Sequence, residues 1–351
     1  MPQPPSPRGR GAAGNPASRF EPLHVAHEYE AVDETGAAPP TLFFRDSARS
    51  VISRNDSPDI PFDASLNPYR GCEHGCVYCY ARPTHEYLGL SCGLDFETRV
   101  FVKEDAPELL QRELDKRSWT PQPLALSGVT DPYQPVERHF ALTRRCLEVL
   151  ALRRNPVSVI TKSALVLRDA DLLGELAQHG AATVAVSITT LDEPLRRQLE
   201  PRAASAEVRL DAITRLREAG VPAGVMVAPV IPGLTDHELP GILARAAEAG
   251  ACFAAYTMVR LPHGVAGLFE GWLRRCVPDR AAKVLSRICD VRGGALNDPC
   301  FGSRMRGRGP VADLVHDVFH LARERAGLPA DGPTLSAAAF RRPTAQRSLF
   351  E

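Results

Sequence analysis

The chain has 351 residues, in which 42 Lys and Arg are balanced by 42 Asp and Glu. This balance excludes a global electrostatic field strong enough to draw the protein to nucleic acid or to a membrane surface. No apolar run approaches the roughly 18 residues of a membrane-spanning helix, and the N-terminus lacks the apolar core of a signal peptide.

The chain begins with a segment whose composition is typical of disorder. Residues 1–40 are rich in Pro, Gly, Ala and Ser and lack apolar periodicity, so we predict a disordered N-terminal tail. After it, short β-rich runs alternate with helical stretches. We predict six strands, at Ser65–Arg70, Pro123–Val129, Val157–Thr161, Thr183–Ile188, Ala223–Val230 and Cys252–Val259.

Six strand-then-helix units in sequence predict parallel strands joined by right-handed crossovers. Continuous apolar runs such as Ala223–Val230 fit strands that are buried on both faces. The sequence therefore predicts an α/β fold, a partial (β/α)6 barrel over residues 41–264, with its chemistry at the C-terminal strand ends. Residues 265–327 follow as a helical C-terminal extension, and residues 328–351 as a loose tail.

Three cysteines follow the first predicted strand and form the spacing Cys72-x3-Cys76-x2-Cys79. No fourth cysteine lies near them, although cubane iron–sulfur clusters usually take four thiolates and structural zinc takes four ligands. Three thiolates in one loop would leave one corner of a cubane cluster open to a small molecule. An open coordination position is what distinguishes a reacting metal centre from a structural one.

This spacing, with aromatic Tyr78 just before the last cysteine, resembles the signature of the radical S-adenosylmethionine (radical SAM) superfamily. The resemblance implies a [4Fe–4S] cluster on the three cysteines, with S-adenosylmethionine on the open iron. It also implies an external low-potential electron donor. Reductive cleavage of the sulfonium bond then gives a 5′-deoxyadenosyl radical, which abstracts a hydrogen atom from the substrate.

Within this superfamily the chain is most similar to spore photoproduct lyase-like proteins, through Asn67–Arg82, Thr130–Tyr133, Thr161–Lys162 and Ser187. The resemblance implies that Thr130 and Asp131 bind the ammonium of S-adenosylmethionine, that Lys162 meets its carboxylate and that Ser187 meets its ribose. Tyr78 counts among the cofactor-binding residues. Arg202 is a further candidate for a carboxylate, or alternatively forms a salt bridge to Glu200 or Glu207.

The chain departs from spore photoproduct lyase at the end of the second strand. That enzyme carries a hydrogen-donating cysteine there, whereas Ala125–Glu137 contains none. The departure puts repair of its thymine dimer in doubt, but not radical initiation. We expect a damaged nucleic acid as substrate, with a protein side chain as the second possibility. Cys300 is a weak candidate for the hydrogen donor, since a lone cysteine is more often inert.

A second hypothesis assigns the cysteine loop to zinc, with His74 or His85 as the fourth ligand. The chain would then be a non-catalytic nucleic-acid-binding module whose arginines between residues 304 and 308 contact phosphates; a solvated connecting loop is the simpler interpretation of that segment.

Two expectations concern partners and location. Gln346, Leu349 and Phe350 resemble the short peptide by which bacterial DNA repair and replication proteins bind the sliding clamp. The nine cysteines, three in a metal-type motif and six scattered, suit a reducing compartment, so we expect a cytoplasmic protein with no membrane partner.

Overall fold

The computed structural model of the protein describes residues 7–20, 39–329 and 331–342. Within these residues the strands are β1 (Leu42–Arg45), β2 (Ile52–Arg54), β3 (Ala64–Leu66), β4 (Tyr69–Arg70), β5 (Arg99–Val102), β6 (Leu124–Leu126), β7 (Val157–Thr161), β8 (Ala182–Ser187), β9 (Ala223–Val230) and β10 (Ala254–Met258). The α-helices are α1 (Leu94–Thr98), α2 (Ala106–Asp115), α3 (Glu137–Phe140), α4 (Leu142–Arg153), α5 (Ala170–Ala177), α6 (Glu193–Leu199), α7 (Ala206–Glu218), α8 (Leu239–Glu248), α9 (Gly264–Cys276), α10 (Pro278–Val291) and α11 (Pro310–Arg325).

The central sheet has seven strands in the order β10-β9-β8-β7-β6-β3-β2. The six strands from β3 to β10 are parallel and follow one another in chain order, whereas β2 pairs antiparallel with β3 at the edge. This confirms the predicted α/β architecture. All six residues of β8 are buried, as expected for a parallel strand with both faces covered.

The first predicted strand, Ser65–Arg70, is wrong as a single element. It is divided at Asn67 and Pro68 into β3, in the central sheet, and β4, in a separate three-stranded sheet of order β1-β5-β4. Proline has no N–H to donate to a ladder, and the Asn67 side chain accepts from the Val129 N–H at 3.2 Å instead of continuing the strand.

The second predicted strand, Pro123–Val129, is shorter than expected because the backbone leaves the extended conformation after β6. Ser127 has φ 153° and Gly128 has φ 93°. A non-glycine residue at positive φ is uncommon, so β6 ends where its C-terminal loop turns toward the candidate site. The bounds of β7 and β9, by contrast, agree with the predictions.

The C-terminal helices contribute to two separate cores. Helix α11 packs against α8 and adds Val315 and Phe319 to the barrel core. Helices α9 and α10 build a second core in which Phe269 and Trp272 lie with Cys76, Val77 and Tyr78 of the cysteine loop. The predicted helical extension therefore forms, and part of it covers the cysteine loop directly.

Residues 7–20, the described part of the N-terminal tail, pack against the cysteine loop region. The Arg10 guanidinium donates to the Glu97 carbonyl at 3.0 Å, and the backbone N–H groups of Gly11 and Ala12 donate to the Glu97 carboxylate at 3.1 and 2.9 Å. A composition rich in small residues suits such close backbone contact: a Cβ on Gly11 would stand 1.9 Å from the Gly75 carbonyl oxygen.

Among the described residues no helix is long and apolar enough to cross a membrane. The residues expected to contact a sliding clamp, Gln346, Leu349 and Phe350, lie outside the described part of the chain.

Candidate active site

The three cysteines of the motif lie on one loop that follows β4. Cys72 and Cys76 are buried, and Cys79 is half-buried. The Cys72 N–H donates to the Phe96 carbonyl in α1 at 2.9 Å, and the Val77 N–H donates to the Leu199 carbonyl in α6 at 3.1 Å. The loop is therefore fixed from two sides by the backbone of two different helices.

Two glycines allow the loop to turn within this packed environment. Gly71 has φ 84° and Gly75 has φ 69°, a conformation that is costly for residues with a Cβ. A Cβ on Gly75 would also stand 2.9 Å from a Glu97 carboxylate oxygen. Both the backbone conformation and the surrounding space therefore require glycine at position 75.

Replacing Gly75 with alanine should lower the iron content of the protein after anaerobic reconstitution. The substitution adds backbone strain of about 1–2 kcal/mol and pushes the loop away from Glu97. Iron per chain is measured against Gly267→Ala in α9, where an added Cβ meets no atom within 4 Å and should stabilise the helix by about 0.5–1 kcal/mol. Equal iron content in the two variants would contradict the expectation.

Glu97 connects the N-terminal segment to the cysteine loop. Its fully buried carboxylate accepts from the Arg82 guanidinium at 2.5 Å, and the Arg82 Nε donates to the Cys76 carbonyl at 2.9 Å. A buried ion pair of this kind persists only when its partners are hydrogen-bonded. Glu97 is not among the residues predicted for the site, because it lies 18 residues beyond Cys79 and no local sequence pattern links it to the cysteine motif.

The three thiols of the loop are the type of donor that iron–sulfur clusters use. Burial raises the pKa of Cys72, Cys76 and Cys79 above the usual range for a thiol, so their thiolate forms require a strong positive charge in contact with sulfur. Cubane thiolates each bind a different iron. Among the described residues, no group of three His, Cys, Asp or Glu side chains is placed to hold a single metal ion.

The two histidines considered as a fourth zinc ligand make other contacts. The His74 Nδ1 lies 3.4 Å from an Asp131 carboxylate oxygen. The His85 Nε2 lies 2.8 Å from the Arg99 carbonyl, and its ring packs edge-on against Phe96. The side chains therefore give no support to the zinc interpretation.

Asp131 lies beyond β6 and connects the cysteine loop to the end of β7. Its carboxylate accepts from the Thr161 hydroxyl and from the Lys162 N–H, both at 2.7 Å, and from the Tyr133 N–H at 2.9 Å. Burial acts to raise the pKa of Asp131, but His74 and these hydrogen bonds outweigh it and lower the pKa. Asp131 is therefore an ionised group that connects His74 of the cysteine loop to the C-terminal ends of β6 and β7.

Lys162 and Glu200 form the centre of a buried polar network. The Lys162 Nζ lies 3.1 Å from a Glu200 carboxylate oxygen and 2.8 Å from the Ala228 carbonyl at β9. Arg209 donates to the other Glu200 oxygen, and the Tyr78 hydroxyl also donates to this carboxylate. Burial alone would raise the pKa of Glu200, yet the charges of Arg209 and Lys162 hold it well below its usual range.

The partners of Arg202 differ from those predicted. Arg202 pairs with Glu73, next to Cys72, at 2.9 Å. Glu200 pairs with Lys162 and Arg209 instead, and Glu207 pairs with Arg245 on α8. The alternative salt bridge to Glu200 or Glu207 was therefore wrong, because nearness in sequence does not determine which charges meet in space.

Thr130 and Ser187 lie buried near the same edge of the sheet. The Thr130 hydroxyl donates to the Tyr69 carbonyl at 3.1 Å. Ser187 is the last residue of β8, and its carbonyl accepts from Arg209 at 2.8 Å. Together with Lys162 and the cysteine loop, these residues bring the predicted site to the C-terminal ends of the parallel strands.

The segment 297–309 lies along the free edge of β10, where the Met258 N–H donates to the Met305 carbonyl at 2.9 Å. Arg304 donates to both carboxylate oxygens of Asp59 at 2.8 and 2.6 Å, and Arg308 pairs with Asp298 at 3.1 Å. Cys300, in the same segment, is exposed. The segment is therefore a folded connection whose arginines Arg304 and Arg308 are paired with carboxylates.

The family of the chain follows from its similarity to models of known protein families. The model of the radical SAM superfamily matches residues 66–246, just over half of the chain. The chain belongs to the radical SAM superfamily. As a radical SAM protein it uses an iron–sulfur cluster and S-adenosylmethionine, and members of this family need an external electron donor.

The chain is also similar to individual proteins. The radical SAM protein is 39% identical to uncharacterized protein Rv2578c of Mycobacterium tuberculosis over 78% of this chain and 79% of the other. It is 27% identical to a radical SAM Nalpha-GlyT isomerase of Pseudomonas phage M6, over 49% of this chain and 34% of that protein.

The fold also resembles that of a spore photoproduct lyase mutant with bound AdoMet and dinucleoside spore photoproduct. The TM-score is 0.58 at 16% identity, over 81% of this chain and 78% of the lyase. This confirms the radical SAM, spore photoproduct lyase-like fold expected from the sequence.

Proposed function

We propose that the protein binds a [4Fe–4S] cluster through Cys72, Cys76 and Cys79 and abstracts a hydrogen atom from a damaged nucleic acid. The observation that supports this most directly is the position of three thiols, two buried and one half-buried, on one loop beside Asp131 and Lys162, at the C-terminal strand ends. When bound, the cluster and S-adenosylmethionine supply the electron and the 5′-deoxyadenosyl group for hydrogen abstraction.

The residues around the loop have distinct proposed roles toward S-adenosylmethionine. Lys162 places a positive charge where the methionyl carboxylate would bind, held in place by the Ala228 carbonyl and by Glu200. Thr130 and Asp131 offer oxygen acceptors for the ammonium, and Ser187 a hydroxyl for the ribose. In these roles, oxygen acceptors would face the ammonium of S-adenosylmethionine, and the Lys162 cation would face its carboxylate.

Two further residues border this set. Arg202 is the second proposed carboxylate partner; its side chain is about one-third exposed and shares Glu73 with the Thr41 hydroxyl. Tyr78 is buried, and its hydroxyl lies 3.1 Å from the Thr189 hydroxyl. Its proposed role is to keep the Lys162–Glu200 pair beneath the cofactor and away from water.

A nucleic-acid substrate is proposed from the neighbours. The solved lyase binds a dinucleoside spore photoproduct, and the phage relative is named as a Nalpha-GlyT isomerase. The proposal does not extend to the lyase-type reaction on that photoproduct, because residues 125–137 lack the cysteine that would return a hydrogen atom. Cys300 remains the weak candidate for that step.

Two smaller proposals rest on the sequence. All nine cysteines are free thiols, which accords with a reducing cytoplasmic location. The contact of Gln346, Leu349 and Phe350 with a sliding clamp would keep the protein near DNA.

Anaerobic reconstitution with iron and sulfide, followed by addition of dithionite and S-adenosylmethionine, tests the proposal. We expect a brown protein with about four irons per chain and formation of 5′-deoxyadenosine. A colourless protein that retains zinc, or a fully loaded cluster that yields no 5′-deoxyadenosine, would overturn it.

A further inference from the structure

Arg260 lies two residues beyond β10, at the same edge of the sheet as the cysteine loop. Its guanidinium carbon is 4.6 Å from the centre of the Tyr80 ring, and Tyr80 directly follows Cys79. The Tyr80 hydroxyl in turn donates to the Gly128 carbonyl, just beyond β6, at 2.7 Å. Since β6 and β10 are separated by three strands, the Arg260–Tyr80 pair crosses the mouth of the barrel beside the cysteine loop.

The Arg260 guanidinium has no hydrogen-bond acceptor within residues 7–20, 39–329 and 331–342. Neighbouring arginines are different. Arg304 donates to Asp59 through two nitrogens, and Arg292 donates to the Val259 carbonyl at 2.5 Å. A guanidinium carries five N–H donors in a planar fork, so Arg260 keeps its donors available at the mouth.

The environment of Arg260 favours an anion from outside the chain. The side chain is half-buried. Burial lowers its pKa, and the charge of Arg304 acts in the same direction, whereas Tyr80, Asp59 and Cys79 act to raise it. The Tyr80 ring supplies a cation–π contact, which compensates only part of the lost hydration. Arginine stays charged even when it is partly buried. An oxyanion is therefore the chemical group that would pair with the Arg260 guanidinium.

We propose that Arg260 binds a phosphate group of the substrate at the mouth of the barrel. The inference rests on the proposed nucleic-acid substrate, in which phosphates are the anionic groups. The guanidinium fork matches two phosphate oxygens, and a phosphate contact fixes the position of a strand without reading its sequence. Arg260 would hold the backbone while the adjacent nucleotide enters beside the cysteine loop.

The test measures binding of a fluorescein-labelled single-stranded thymidine oligonucleotide to the reconstituted full-length protein by fluorescence anisotropy. Arg260→Gln should weaken binding by about tenfold, the scale of one charge-assisted contact. It should also make the slope of log K against log salt shallower by about 0.7. Arg260→Lys should recover part of the affinity, because it restores the charge without the fork.

The matched control is Arg274→Gln on α9, which removes the same charge from a side chain that is 67% exposed and paired with Glu270; its affinity should stay within twofold of wild type. An oligonucleotide with neutral methylphosphonate linkages should bind wild type and Arg260→Gln equally. Iron content and thermal melting show whether each variant is folded. If Arg260→Gln loses its cluster, the affinity of Arg260→Lys is compared with that of wild type instead.

Three results would overturn the inference: no oligonucleotide binding by wild type, equal binding by Arg260→Gln, or the same loss on the neutral probe. Formation of 5′-deoxyadenosine by wild type without oligonucleotide is a separate measurement. Its failure overturns the proposed function, whereas normal cleavage with unchanged binding by Arg260→Gln overturns this inference alone.

Discussion

Cys76→Ala should abolish formation of 5′-deoxyadenosine by the reconstituted protein. Cys76 lies between the other two cysteines of the loop and is buried against the core built by α9 and α10. Two thiolates cannot bind three irons of a cubane cluster, so the variant could not hold a cluster with only its fourth iron free. We expect the brown colour and most of the iron to disappear as well, measured by absorbance and iron assay.

The control for this prediction is Cys289→Ala in α10, which removes a half-buried thiol that is not part of the core around Cys76. It should retain iron and cleavage at the wild-type level. If Cys76→Ala still cleaved S-adenosylmethionine at a rate near that of Cys289→Ala, the assignment of the cluster to this loop would be wrong.

Glu200→Gln should produce the largest loss of stability among single substitutions near the site. Glu200 is fully buried, and its carboxylate is the shared partner of Arg209 and Lys162. Glutamine keeps the shape of the side chain but removes the charge, so buried Arg209 loses its counter-ion. Breaking a buried pair in this way costs about 3–5 kcal/mol, to be measured as the free energy of unfolding in urea.

The same substitution at Glu207 provides the comparison. Glu207 pairs with Arg245 on the surface, where its side chain is 68% exposed, and surface pairs contribute at most about 1 kcal/mol. Equal losses for Glu200→Gln and Glu207→Gln would show that the buried network is not a stabilising unit.

The pH dependence of the Glu200 effect has a defined sign. Because the pKa of Glu200 is depressed in the folded protein, its contribution is fully present above the unfolded value of about 4.3 and is lost as pH falls toward the folded value. The stability difference between wild type and Glu200→Gln should therefore narrow below about pH 4. A difference that widened on acidification would contradict the depressed pKa.

The site and the architecture differ in how much of each could be predicted. The cysteine motif is local, since Cys72, Cys76 and Cys79 fall within eight residues. Their spacing alone therefore limits how far apart the three thiols can lie. The parallel sheet follows from alternating apolar runs and helices, and β7 and β9 have the predicted bounds. Because parallel strands place their C-terminal ends at one edge, strand order alone brought Lys162 and Ser187 together.

The tertiary structure alone decided which charged groups meet. Glu200 receives Lys162 from the end of β7 and Arg209 from α7, whereas Arg202, its close neighbour in sequence, turns to Glu73. Residues 7–20 have a composition typical of disorder but lie against Glu97 and Gly75. Such pairings depend on distances between segments far apart in the chain, and periodicity and propensity describe only near neighbours.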